Sequence, residues 1–151
     1  MVFTDYLKPE NVQIIQSVSD WQEAIKVAVL PLVEQGYVTL DYIQGIIDNT
    51  TYYGAYYVIT KHVALLHARA EQGVVKTQFA VTLTKEEVYF PENKKPANLL
   101  ITLAAADSTE HLEALQAFAE IFADEDKVEA LLAIDDPKLL YQALTNVNAD
   151  A

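Results

Sequence analysis

The sequence predicts an α/β fold: a single domain with a central mixed β-sheet flanked by helices on both faces. Three observations predict it. Helical hydrophobic spacing marks the first and last thirds of the chain, while short apolar or alternating segments fill the middle. The run NLLITLAAA, residues 98–106, is almost continuously apolar, as expected of a central strand covered on both faces. With 151 residues, 52% of them hydrophobic and 21% charged, the chain suits one sizeable core and leaves no room for two ordinary domains.

The elements follow in order. NVQIIQ, residues 11–16, carries Val12, Ile14 and Ile15 and reads as a short strand. Asp20 with Glu23, and Ser19 with Gln22, have the spacing of a capping box. Trp21, Ala24, Ile25, Ala28, Val29, Leu32 and Val33 then recur along one helical face. Pro31 is expected to kink that helix and Gly36 to end it. A second helix starts at Thr39, with Leu40, Ile43, Ile46 and Ile47 as its buried stripe, and is expected to stop near Asp48 and Asn49. YYVIT at 56–60 and HVALLH at 62–67 read as two short apolar strands, and KTQFAVTLT at 76–84 as the clearest one, with Phe79, Val81 and Leu83 alternating. VYF at 88–90 reads as another strand and PENKKP as a loop. After the central strand, Asp107 with Glu110 caps a helix whose spacing selects Leu112, Leu115, Phe118, Ala119 and Phe122. Val128, Leu131 and Leu132 mark a shorter helix, and a last one runs from Pro137 through Leu144.

Composition excludes several functions. Lys and Arg total 10 against 22 Asp and Glu, a formal charge of −12. Such a surface repels nucleic acid and anionic lipid and attracts basic protein patches. There is no cysteine, hence no disulfide, thiolate metal site or cysteine nucleophile. The N-terminus, MVFTDYLKPENVQ, lacks the basic and apolar regions of a secretory signal, and the apolar runs fall short of the ~20 residues a spanning helix needs. The expected compartment is the cytoplasm. Three histidines without HExxH spacing make no metal site, and no glycine-rich nucleotide loop or GxSxG occurs, so no cofactor is expected.

The chemistry concentrates in HVALLHARAEQGV, residues 62–74. His67 stands at the end of an apolar strand, just before a polar turn. Neutral imidazole is a good nucleophile, and this position projects it towards a surface site. Spacing alone favours a half-buried histidine that merely finds a hydrogen bond. His111 falls in the first turn of the helix that follows the central strand. Free N–H groups and the helix dipole favour an anion there and disfavour a charged imidazole. Alone, His111 reads as a surface residue of an amphipathic helix. Arg69 carries a permanent charge suited to phosphate oxygens, or is a solvated turn residue. Together these groups fit transient phosphorylation of a histidine. His62, after Lys61 in an expected turn, is the weaker candidate. Tyr52, Tyr53, Tyr56 and Tyr57 read as core and rim packing, and Asp124–Asp126 as a solvated turn.

DWQEAI, GYVTLDYIQGI, YGAYYVI, VALLHARAEQGV and LLITLAAADSTEHLEAL together resemble, over nearly the whole chain, the enzyme IIA domains of the bacterial phosphoenolpyruvate-dependent sugar phosphotransferase system, mannitol/fructose type. GVVKTQFAVTL and the run from Pro96 to Asp107 carry the likeness towards the L-ascorbate-specific components. The resemblance implies that residues 1–151 form one phosphoryl-carrier domain. It implies that His67 accepts the phosphoryl group, that His111 stabilises it, and that Arg69 offsets charge or orients the loop. Two prolines of the family motif are replaced, by Leu66 and Ala70, which predicts a looser loop.

The implied mechanism is a relay without metal, nucleotide or other cofactor. The phosphocarrier HPr brings a phosphohistidine, His67 takes the group in line on Nε2, and a cysteine of a cognate IIB protein receives it. A membrane IIC component then couples transfer to sugar uptake. The acidic surface would steer a basic carrier, and exposed apolar residues around His67 would form a small docking patch. Apolar helix faces would permit a homodimer. Alternatives are a mannitol or fructose component, a regulatory nitrogen-type IIA protein, and a binding module with structural histidines.

Overall fold

The computed structural model describes residues 5–91 and 96–149. Five strands form one mixed sheet in the order β1-β4-β5-β3-β2: β1 Val12–Ile15, β2 Val58–Thr60, β3 His62–Leu66, β4 Gln78–Val88 and β5 Ala97–Ala104. β3 and β5 are parallel, with Leu66 opposite Thr102, whereas β4 and β5 are antiparallel. Every residue of β5 is buried, which matches its expected central place.

Period-two alternation sorts side chains to two cores. Ala64 and Leu66 of β3, with Leu100 and Ala104 of β5, meet α1 (Trp21–Glu34) and α2 (Leu40–Tyr53) through Ala28, Leu32, Tyr42 and Ile46. Val63 and Leu65, with Leu99, Ile101 and Leu103, face the opposite way. They pack on α3 (Ser108–Phe122), α4 (Glu125–Leu132) and α5 (Pro137–Ala149) through Phe118, Leu131 and Leu140. The helices thus cover both faces, as expected.

Helix ends follow local chemistry. Asp20 caps α1 by accepting from Glu23 N at 2.8 Å, and the Glu23 carboxylate returns to Ser19 N at 3.0 Å. The helix continues through Pro31 to Glu34. Gly36, at φ 82°, closes it, with Tyr37 N–H reaching back to Leu32 O at 2.9 Å. Asp124, expected as part of a solvated turn, caps α4 by accepting from Asp126 N at 2.9 Å.

Several boundaries differ from expectation. α2 continues past Asn49 to Tyr53, where Gly54 at φ 82° provides the stop; the Thr50 and Thr51 hydroxyls bond the carbonyls of Ile46 and Ile47 within the helix instead of competing with it. Leu40 is exposed because the buried stripe centres on Tyr42, Ile43 and Ile46, and Leu40 lies about 200° around the helix from Tyr42. Leu112 is exposed for the same reason, about 200° from buried Ala114, and Ala119 is exposed too. β2 begins only at Val58. The segment VYF is not a separate strand: β4 runs through to Val88, and its register against β5 shifts between Leu83 and Val88. The loop expected over 91–96 lies mostly outside the described residues.

Candidate functional site

Because β3 and β5 run parallel, both leave the sheet at the same edge. His67 is the first residue past β3. β5 leads through residues 105–107 into α3, which brings His111 back over that edge. The two imidazole centroids stand 5.0 Å apart at 65°. The arrangement puts a cleft outside the carboxyl ends of parallel strands and beside a helix N-terminus, a recurrent location for ligands in α/β folds. The cleft measures about 650 Å3 and is lined by Asn49, Tyr53, Tyr56, His67, Arg69 and His111, among others.

The His67 ring is fixed through Nδ1, 2.6 Å from the Leu65 carbonyl. A carbonyl only accepts, so Nδ1 carries the hydrogen and the Nε2 lone pair is free in the neutral ring. Burial holds the His67 pKa below the ordinary histidine value; the Leu65 carbonyl opposes this and His111 adds to it. Burial likewise lowers His111. The Tyr56 hydroxyl donates to the His67 carbonyl at 2.6 Å, and its ring stands edge-on to the imidazole, 5.1 Å between centroids.

α2 fastens the loop that follows His67. The Tyr42 hydroxyl, buried in the α2 face, accepts from Ala68 N at 3.1 Å and donates to Leu103 O at 2.6 Å, linking the ends of β3 and β5. Burial pushes this phenol far above its ordinary pKa, so it stays a donor. Gln72 Oε1 accepts from Arg69 N at 2.9 Å and from Asn49 Nδ2 at 3.0 Å. Gly73, at φ 141°, accepts from Thr39 N at 2.8 Å; a Cβ there would meet Thr39 Oγ1 and Tyr42 N, each at 2.8 Å. Only glycine fits this turn.

Arg69 lines the cleft but is exposed, its Nε 3.4 Å from Glu71 Oε1. The N-terminus of α3 is partly occupied: Asp107 accepts from Glu110 N at 2.8 Å and itself lines the cleft with Ser108. The structure therefore brings His67, His111 and Arg69 to one cleft. It leaves His62 at the far end of β3, where Nδ1 pairs with Asn98 Oδ1 at 2.8 Å. His62 also opens the strand rather than lying in a turn.

Sequence reasoning missed Tyr42, Asn49, Tyr56 and Gln72. Tyr42 sits on the α2 stripe and could have been found from its spacing; the other three carry no local signal. Of the tyrosine cluster, Tyr57 is core, Tyr52 is exposed, and Tyr53 and Tyr56 line the cleft. Among the described residues, no three His, Asp or Glu side chains converge as metal ligands. No described helix is long and apolar enough to cross a membrane.

Residues 5–147 match the family described as "Phosphoenolpyruvate-dependent sugar phosphotransferase system, EIIA 2". The chain belongs to this family and is a phosphoryl-carrier component, a phosphotransferase of the sugar-transport system. It is 41% identical over 145 residues to the mannitol-specific cryptic phosphotransferase enzyme IIA component of Escherichia coli K12, covering 96% of this chain and 99% of the relative. It is 33% identical over 144 residues to the ascorbate-specific EIIA component of the same strain, with 94% of each chain covered. The solution structure of the mannitol-specific cryptic enzyme IIA from Escherichia coli superposes with a TM-score of 0.90 at 39% identity, covering 97% of this chain and 99% of that one.

Proposed function

We propose that His67 is the phosphoryl acceptor and that the cleft transfers the group from the HPr phosphohistidine to the cysteine of a cognate IIB protein, in the cytoplasm. The observation that carries this reading is the Nδ1–Leu65 hydrogen bond on a neutral, cleft-lining imidazole, which leaves Nε2 as the nucleophile. In the first transfer the P–N bond of the donor breaks and its bonding pair leaves with the donor ring. The Nε2 lone pair of His67 forms the new P–N bond, and Nδ1 keeps its hydrogen. In the second transfer a IIB thiolate attacks phosphorus and the pair returns to Nε2. No oxidant, metal or nucleotide enters the balance; positioning and charge stabilisation do the catalysis.

His111 donates its single N–H to the phosphoryl oxygens. Arg69 exchanges Glu71 for those oxygens; an exposed ion pair of this kind is worth only about 0–1 kcal/mol, so the exchange is easy. Exposed Tyr53 lines the cleft and suits transient docking, and the −12 charge suits a basic carrier. The sugar is chosen by the membrane component, which the His67 cleft does not contain. L-ascorbate rests on the sequence motifs, and mannitol on the relative with 41% identity.

Mass spectrometry after incubation with phosphoenolpyruvate, enzyme I and HPr tests the reading. The protein gains one acid-labile phosphoryl group, and His67→Ala gains none. Equal labelling of the variant would sink the assignment.

A further inference from the structure

We infer that Gln72 is a positioning residue for phosphoryl transfer: its carboxamide, locked to Asn49 of α2, fixes Arg69 and with it the loop that carries His67. This rests on the reading of His67 as acceptor. The sequence ARAEQGV after His67 holds no proline to fix a φ angle. Backbone hydrogen bonds close its single turn, Gln72 N–H to Arg69 O at 2.9 Å and Val74 N–H to Ala70 O at 3.0 Å, but the Arg69 N–H is left to a side chain. Gln72 supplies what is missing. Its Oε1 accepts from Arg69 N at 2.9 Å and from Asn49 Nδ2 at 3.0 Å, and its Nε2 donates to Asn49 Oδ1 at 3.2 Å. The two amides thus pair reciprocally, with the Arg69 backbone as a third member.

The helix is shaped for this contact. A Cβ on Gly45 would stand 3.1 Å from both Cβ and Nε2 of Gln72, so the bare helix surface at Gly45 seats the side chain. Glycine is unfavourable inside a helix, and here its place follows from that seat. Gln72 is not part of the cleft lining, whereas its two partners, Asn49 and Arg69, are. It therefore acts through them and not on the phosphoryl group.

The loop geometry offers a direct test. Arg69 is extended, at φ −71° and ψ 151°, and Ala70 opens the single 3-10 turn Ala70–Gln72. That is the geometry a proline at position 70 requires of itself and of the residue before it. If Gln72 works by stiffening, Ala70→Pro replaces it by another route. The rate of label transfer from phospho-HPr is measured for the wild type, Gln72→Ala and Gln72→Ala/Ala70→Pro, with amide exchange of Arg69 and Ile101 followed by NMR on the unphosphorylated proteins. Gln72→Ala is expected to transfer roughly 10- to 100-fold more slowly, with faster Arg69 exchange and unchanged Ile101 protection. The double variant recovers most of the loss. A wild-type rate in Gln72→Ala, or a double variant as slow as the single one, overturns the proposal. Label absent from His67 in the wild type overturns the acceptor reading instead, and the positioning role falls with it.

Discussion

His62 and His67 bracket the five-residue strand β3, one at each end. Both are half-buried, and both use Nδ1 for a hydrogen bond. At the amino end His62 adopts φ 75°, donates its N–H to Pro96 O at 2.8 Å, and pairs its ring with Asn98 at a point where the register shifts. The Asn98 amide is in turn tied to Thr84 O at 3.0 Å. At the carboxyl end His67 meets a second histidine, a tyrosine and an arginine around a cleft. Residue type and burial do not separate the two. Strand direction does: parallel β3 and β5 deliver their carboxyl ends, and the start of α3, to one edge only.

The strongest way to break this comparison is to remove each ring in turn. His67→Ala abolishes phosphoryl acceptance, whereas His62→Ala labels to the wild-type extent in the same mass-spectrometric assay. Next comes the partner ring. His111→Ala slows transfer by roughly 10²–10³-fold, the loss typical of a removed transition-state donor, with little change in the HPr concentration dependence. Rapid-quench measurement over a range of phospho-HPr concentrations separates the two terms.

Acidification sharpens the comparison more gently. Burial lowers the His67 pKa in the folded chain, so the unfolded chain binds that proton first as pH falls. The stability linked to neutral His67 is complete above about pH 6.5, the unperturbed value, and is lost as pH falls from there through the lowered folded value. Acceptance follows the same folded value. An NMR titration of the His67 ring is expected to show a midpoint below that of a model histidine, moving up in His111→Ala; a midpoint at or above the model value contradicts the burial argument. The smallest effect belongs to His62. Glycine removes the cost of positive φ but loses the Asn98 bond, so His62→Gly shifts stability by less than about 1 kcal/mol in urea denaturation. His62→Val, β-branched at positive φ, costs about 1–3 kcal/mol more than glycine.

The fold was legible where hydrophobic period was strong. The continuous run of β5, the alternation Phe79–Val81–Leu83 and the Asp20 and Asp107 caps all have local causes, and each stands where its spacing placed it. For His67, Arg69 and His111 the sequence marked only the element boundaries at which they sit; spacing alone read each as a structural or surface residue, and the roles expected of them came from the family resemblance. The supporting residues were not legible. Asn49 and Gln72 meet only because α2 lies against the loop after His67, and α2 itself was read too short, since its stop is Gly54 and the hydroxyls of Thr50 and Thr51 bond carbonyls inside the helix rather than ending it. Tyr56 reaches His67 across the turn after Gly54, a contact without any periodic signature.

The Leu65 carbonyl bears on the loaded form as well as the empty one. On the acceptor reading, attack through Nε2 leaves hydrogen on Nδ1, and the carbonyl keeps it there. The phosphorylated ring is then an imidazolium, which departs as neutral imidazole, a far better leaving group than the imidazolate that a ring without hydrogen on Nδ1 would release. The bond that fixes the nucleophile therefore also makes the product short-lived: it favours rapid hand-over to a waiting thiolate and equally exposes the phosphoryl group to loss to water. A protein built in this way holds its cargo briefly, as a courier rather than a store.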